Sequence, residues 1–569
     1  MTANNLAPLA LLGCLASLAP AVAPAEDLLT TAREPGRAGG GLVVAQRAEP
    51  KTLNPVMAPD SASREVINRM MADLIHINRE THRTEPALAR SWDVANGGRR
   101  YVLHLRRGLR FSDGHAFDAS DVVFTFQVLL DPKTGSPQRD LLVVAGRPIA
   151  VRQQDAYTVV FDLAGPYAAA ERIFDSIAIL PRHLLEQPYR EGKLARAWGL
   201  NVAPGAIAGL GPFRLKQYLP GQRIVLERNP YYWKKDRAGR RLPYLDTLTF
   251  LFVGSEDAQV LRFEAGETDV VSRIGARNFA ALEKNQQRRG YALHDLGPGL
   301  EYNFLFFNLN EGRSKQSWFG DANFRRAVSA AIDREGIVKL VYNGRAAPLW
   351  GHVTPGNRLW VNATLPHPAR SLGRARELLR AAGFSWNREG ALLDRTGARV
   401  EFTIAAGAGN PERTGIATIV QDDLKQIGIR ANVAALEFRA LLDRLLKTFD
   451  YEAAVLGLGS GDVDPTAEMN VWLSSGGTHL WRLNGRGPAP PWEAEIDTLM
   501  RRQMVEMDPA RRKRLYDRVQ QIAAGELPII CVASPNILVG AKTGLGNFRP
   551  AILDHYTLWN VEELYWRAP

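Results

Sequence analysis

The chain has 569 residues, 46% of them hydrophobic and 23% charged, with a formal charge of +11. At roughly 100–200 residues per domain, that is room for three or four globular units with sizeable cores. The positive charge is dispersed in pairs such as Arg99-Arg100, Arg106-Arg107, Arg240-Arg241 and Arg325-Arg326; without a basic run, a zinc-finger spacing or a helix-turn-helix spacing, no nucleic-acid partner is expected.

The N-terminus reads as an export signal. "LAPLALLGCLASLAPAVA" (6–23) is apolar and rich in small residues, and an A-x-A cut after Ala25 would remove residues 1–25. Pro8, Pro20 and its short length argue against a membrane span. A second reading stays open: "LLGC" (11–14) fits a lipoprotein box, with the signal ending at residue 13 and Cys14 becoming the lipidated terminus. Cys531 is the other of the two cysteines; with no disulfide framework, it reads as a buried small hydrophobe in "LPIICVAS".

Residues 26–40, ending in Gly-Gly, read as a flexible leader, with order beginning at the β-branched strand "GLVVAQ" (41–46). In "RRYVLHLRRG", Tyr101, Leu103 and Leu105 alternate as in a half-buried strand. "FSDGHAFDASDVVFTF" (111–126) concentrates Asp113, His115, Asp118 and Asp121, which raises the question of a metal or acid/base site. Each carboxylate has a simpler task. Asp113-Gly114 is a turn dipeptide, and Asp118 with Asp121 fits a capping box for a helix that Asp131-Pro132 ends. No metal site is expected here. Further on, strands are expected in "GPFRLKQYLPGQRIVLERNP" (211–230), "TLTFLFV", "RVEFTIAAG" and "RANVAALE". Helices are expected in "RARELLRAAGF" (374–384), with Gly383 as the stop, and in "RTGIATIVQDDLKQIGI", where Asp422-Asp423 reads as a solvated face. The class is α/β with mixed sheets.

Catalytic signatures are missing. There is no H-E-x-x-H and no P-loop. "GLGSG" (457–461) lacks dinucleotide spacing, and Leu458 stands where a nucleophile elbow needs glycine. The histidines are isolated, with His479 in "SSGGTHLW" the single metal-like hint. No enzyme, cofactor or metal is expected, an exported hydrolase being the weaker alternative.

Taken in order, "EPKTLNP" (49–55), "EPALARSWDV" (85–94), "LRRGLRFSDGHAFDASDVVFTF" (105–126), "GLGPFRLKQYLPGQRIVLERNPYYW" (209–233) and "FNLN…NFRRAVSAAIDREGIV" (307–338) resemble the family 5 extracytoplasmic solute-binding proteins of ABC importers, the peptide-binding class. "RARELLRAAGF" and "DLKQIGI" extend the match. The resemblance implies a two-lobed periplasmic-binding-protein fold of the large three-subdomain type, closing as a hinged trap. Lobe I would combine 41–304 with 531–569, with a subdomain at about 57–200, and lobe II would span 305–530. It further implies an exported, periplasmic monomer that captures peptides or a peptide-like solute and hands it to permease subunits, with a membrane link only through a Cys14 lipid. A metal chelate, sugar or opine on the same fold is the alternative ligand. Such proteins often carry a Trp-containing segment with a D-x-x-D-P-like turn whose Asp takes a peptide ammonium; here it reads "GLGSGDVDPTAEMN", with Leu458 in place of Trp.

For a trap of this kind, loops after strands supply the contacts. Tyr451–Leu456 reads as a strand followed by a glycine-rich turn, after which Asp462 or Asp464 could pair with a ligand ammonium. Asp464-Pro465 equally suits a helix start. Tyr302, Asn303, Trp472 and Trp481 are candidates to line the cleft, core packing being the competing reading of each.

Overall fold

The computed structural model describes residues 26–568 except 59, 176, 311–315, 484, 486 and 555, so the expected signal segment and Cys14 lie outside the described residues. Among the described residues no helix is long and apolar enough to cross a membrane.

The frame is a 12-stranded mixed sheet that runs through the whole molecule. From one edge, Phe213–Leu219, Arg223–Arg228 and Thr247–Phe252 pair antiparallel, and Thr247–Phe252 then pairs parallel with Gly41–Gln46. At the other edge Arg430–Leu436, Glu401–Gly407 and Ala453–Gly459 are parallel neighbours, and Glu301–Phe307 pairs antiparallel with the last of them. The two halves are joined by Ile529–Lys542, a strand of 14 residues. Its first residues pair with Asn303–Phe306, and its later ones pair with Tyr291–Asp295. Register slips at Asn303/Phe304 and between Asp295 and Pro298 mark where the chain passes between halves.

Each half has its own interior. One core runs from Leu42 through Phe250 and takes in Ala541 to Leu564 from the C-terminus. The other half has two cores, one around Leu305, Phe307 and Val532 and one around Tyr302, Phe304 and Cys531. Cys531 is buried there, as its apolar surroundings imply, and burial pushes its thiol up to about 12. A separate antiparallel sheet, Ala89–Ala95, Arg100–Leu105, Thr158–Asp162 and Ala150–Asp155, carries the helix Ala119–Leu130. The 111–126 stretch behaves as its residue types dictate. Gly114 takes φ 91° in the turn, Phe111 and Phe117 are buried, and Asp118 and Asp121 form the capping box. The Asp121 carboxylate also accepts the Arg182 amide at 3.0 Å, and its burial drives its pKa up to about 6.

Three expectations need correction. The 26–40 segment is not free: Leu29–Thr30 pairs with Lys234–Lys235, and the glycines lie under the C-terminal aromatics. A Cβ on Gly36 would stand 2.5 Å from the Tyr565 ring, and one on Gly40 would stand 2.9 Å from Trp566. Glycine here serves close approach, not looseness. The 453–459 strand continues through the glycines instead of turning, with Gly457 and Gly459 opposite Asn303 and Glu301. Asp423 is not solvated; it is buried, accepts the Asp333 amide at 2.7 Å and pairs with Arg370.

Candidate functional site: a cleft between the two halves

Two cavities, of about 260 and 400 Å³, take residues from both halves, and a third of about 280 Å³ beside them is lined by the first half alone. They form one cleft. Asp554 lines all three, Gly461 lines the first two, and Arg273 and Tyr556 line the second and third.

The second and largest is built from strand ends and a helix start. Asn410 caps the helix Pro411–Lys425, which brings Arg413 in its first turn over the strand pair Glu301–Phe307 and Ala453–Gly459. Arg413 donates to Glu301 Oε1 at 3.1 Å, to Asn303 Oδ1 at 3.2 Å and to the Gly457 carbonyl at 3.4 Å. Gly457 leaves the room for this arrangement, since a Cβ there would meet Arg413 Nη2 and Asn303 Oδ1 at 2.5 Å each. Glu301 and Arg413 keep 35% and 17% of their side-chain surface exposed, so the pair is reached from the cavity.

The first cavity holds a charge network that belongs to the first half. Arg79 grips Asp175 at 2.7 and 3.0 Å, and His76 Nδ1 sits 3.1 Å from Asp73 and 3.3 Å from Asp175. Burial alone would raise the Asp175 carboxyl, but Arg79 and His76 outweigh it and hold the carboxyl below the usual range. For Asp73 burial prevails and its carboxyl is raised. Asp73, His76 and Asp175 present their donor atoms within 4.8 Å of one another, the geometry of a metal triad. Arg79 already occupies both Asp175 oxygens, so the set is a compensated ion network, poorly suited to a second cation. Beside it, Lys234 pairs with Glu562 at 2.7 Å.

The residues expected to hold ligand are divided by the fold. Asn303 faces the largest cavity beside Arg413. Tyr302 is 1% exposed and donates to Glu468 at 2.9 Å, lining a small adjoining pocket with His352 and Tyr516. Asp464 is the N-cap of the short helix Pro465–Glu468 and makes a buried two-pronged pair with Arg512 at 2.6 and 2.7 Å. Burial opposes its ionisation, but Arg512 outweighs that and lowers its pKa. Asp462 accepts two N–H groups of Arg172, a residue of the first half, and so ties the two halves together across the cleft mouth. The Ala168 amide donates to the Met504 carbonyl at 2.9 Å in the same seam. Trp472 and Trp481 are 1% and 0% exposed in the second half's core, with Trp481 donating to Glu493 at 2.8 Å. His479 is buried against the same Glu493 at 3.3 Å. Sequence reasoning missed Arg413, Glu301, Arg273 and Asp554, because nothing local marks residues that four distant segments bring together.

Comparison with known proteins agrees with this architecture. Residues 83–479 match the family model for bacterial extracellular solute-binding proteins, family 5. A probable ABC transporter-binding protein of Deinococcus radiodurans is 28% identical over 554 residues, 92% of each chain. The oligopeptide-binding protein AppA of Bacillus subtilis, solved with a nonapeptide, is 26% identical with a TM-score of 0.70, covering 94% of this chain and 100% of that one. NikA of Brucella suis, solved with Fe(III)-EDTA, is 21% identical with a TM-score of 0.78, covering 93% and 100%. With separate cores bridged by paired crossing strands, a polar cleft between them and a family match over most of its length, the chain belongs to the family 5 extracellular solute-binding proteins of ABC importers.

Proposed function

We propose that the protein captures short peptides or peptide-like solutes outside the cytoplasm and delivers them to the membrane permease of an ABC importer. The observation that carries this reading is the cleft: two separately cored halves, joined where Tyr291–Phe307 and Ile529–Lys542 cross, face each other over cavities lined by charged groups of both signs. Closure about such a crossing sequesters a solute without chemistry. The paired acids and bases of the cleft, Arg79 with Asp175, Lys234 with Glu562 and Arg413 with Glu301, are held in ion pairs, which supports binding and not catalysis. Residues 41–304 with 531–569 form one moving body in this reading and 305–530 the other, with the hinge near Gly299 and Pro535, where the Gly299 amide donates to the Pro535 carbonyl at 3.0 Å.

The relative solved with a nonapeptide supports a peptide ligand, and the cleft's strand ends and mixed charges suit one. The protein acts as a periplasmic monomer. Its N-terminus is either cut after Ala25 or held to the membrane by a lipid on Cys14, and Cys14→Ser distinguishes these by releasing a tethered protein into the soluble fraction. The reading is tested by native mass spectrometry of protein purified from its own host, in which a population of small peptide masses should accompany the chain. A protein that is consistently empty, and whose melting temperature ignores a peptide pool, would overturn it.

A further inference from the structure

One contact between the halves is made by a thioether. The strands Ala89–Ala95 and Arg100–Leu105 are joined by a turn in which Asn96, Gly97 and Gly98 take φ 52°, 61° and 81° in succession. Opposite it, in the second half, Met507 lies in the short link between the helices Pro491–Val505 and Pro509–Glu526. A Cβ on Gly98 would stand 2.6 Å from Met507 Sδ and 2.7 Å from its Cε, so the methionine packs directly on a residue that has no side chain. The first half meets this region again where the Ala168 amide donates to the Met504 carbonyl at 2.9 Å, and the Leu163 amide, donating to the Arg99 carbonyl at 2.8 Å, ties the two first-half loops together.

Met507 has little freedom to withdraw. Its neighbour Glu506 accepts the Asp508 amide at 2.9 Å and two N–H groups of Arg511 at 3.1 and 3.2 Å, and Asp508 caps the following helix. Among the described residues it is also the methionine that solvent reaches. Met507 is 38% exposed, whereas Met70, Met71 and Met500 are 2%, 4% and 0% exposed, and Met57, Met469 and Met504 are half-buried.

A thioether open to solvent is the one that oxidants reach first, and its sulfoxide is a polar, chiral group that disrupts the contacts an apolar methionine makes. With hydrogen peroxide the sulfur lone pair takes one oxygen atom. An S–O bond forms, the O–O bond breaks, sulfur gives up two electrons, and the departing oxygen leaves as water with both peroxide protons. We propose that Met507 is an oxidation site that controls closure: its sulfoxide no longer packs on Gly98, so the seam opens and the cleft releases its solute. A dithiol reverses the step, carrying the oxygen away as water and becoming a disulfide. The inference rests on the reading of the cleft as a solute trap and adds a reversible chemical input to it.

The test treats the full mature chain with hydrogen peroxide and reads the oxidised fraction at each methionine by peptide-mapping mass spectrometry. Met507 should oxidise about tenfold or more faster than Met70, Met71 and Met500. The oxidised chain should show a larger radius of gyration in small-angle scattering, and its affinity for a pool of synthetic di- to pentapeptides should fall about threefold or more. Methionine sulfoxide reductases with dithiothreitol should reverse both changes. Met507→Leu should match the untreated wild type before and after peroxide, while Met507→Gln, polar without oxidation, should be open from the start. Oxidation of Met507 no faster than that of the buried methionines, an oxidised chain with unchanged dimensions and affinity, or a Met507→Leu chain that still opens under peroxide would overturn the oxidation site while leaving the peptide reading intact. Retention of no peptide by any form would overturn the peptide reading, and the dimensions alone would then decide the oxidation site.

Discussion

Asp462 and Asp464 stand two positions apart, and the fold gives them separate tasks. Asp464 and Arg512 each keep 6% of their side-chain surface exposed, and removing one partner leaves a buried charge uncompensated. Asp464→Asn should therefore cost about 3–5 kcal/mol in denaturant unfolding. Asp462 and Arg172 keep 22% and 14% exposed, and Asp462→Asn should cost about 1 kcal/mol or less by the same measurement. Asp121 makes a pH-dependent contribution. Its folded pKa of about 6 lies above the ordinary value of 3.8, so the folded chain binds more protons than the unfolded one between these values. The group's stabilisation is full below about pH 4 and is lost as pH rises through about 6. Asp121→Asn should remove that slope: the wild-type-minus-variant stability difference should fall by roughly 2–3 kcal/mol across this window and stay flat above about pH 7. A difference that is level with pH would refute it.

At the scale of elements, glycines explain where composition misleads. In 36–40 they admit Tyr565 and Trp566, and in 453–459 they admit Arg413 into the strand face. What a new Cβ meets decides the consequence. On Gly457 it meets side-chain ends, which can swing aside, so Gly457→Ala should fold with little change in melting temperature while displacing Arg413 from Glu301 and weakening peptide retention. On Gly211 it meets backbone, the Met70 carbonyl carbon at 2.4 Å and the Arg69 carbonyl oxygen at 2.7 Å. Gly211→Ala should lower stability by about 1–3 kcal/mol or more in thermal unfolding. The opposite ranking of these two variants would show that the strand and not the helix end is the rigid element.

At the scale of the whole molecule, the two halves meet in two places with different mechanics. The crossing strands at Gly299 and Ser534–Asn536 are continuous backbone and can bend but not part. The other contact is non-covalent: Arg172 with Asp462, Ala168 with Met504, and an apolar cluster that sets Val463 against Ile77, Leu300 and Leu553. Arg172→Ala should shift the population toward an open form, seen as a larger radius of gyration in small-angle scattering, and saturating peptide should compact it again. Dimensions that match the wild type with and without peptide would mean that the seam does not set the opening equilibrium.

How far the residues alone reached follows from the range of the interactions involved. The capping box at Asp118, the turn at Gly114, the alternation in Arg100–Leu105 and the helical period of Leu372–Ala381 depend on neighbours within a few positions, so a linear reading recovers them. The ordered run of such local strings is also what carried the family resemblance. The cleft is different. Asp462 and Asp464 look alike in the string "GDVDP", and only Arg172 from 290 positions away and Arg512 from 48 distinguish them. Arg413, Glu301, Arg273 and Asp554 carry no local mark at all. They come to line one cavity because the sheet order sets strand ends from both halves side by side.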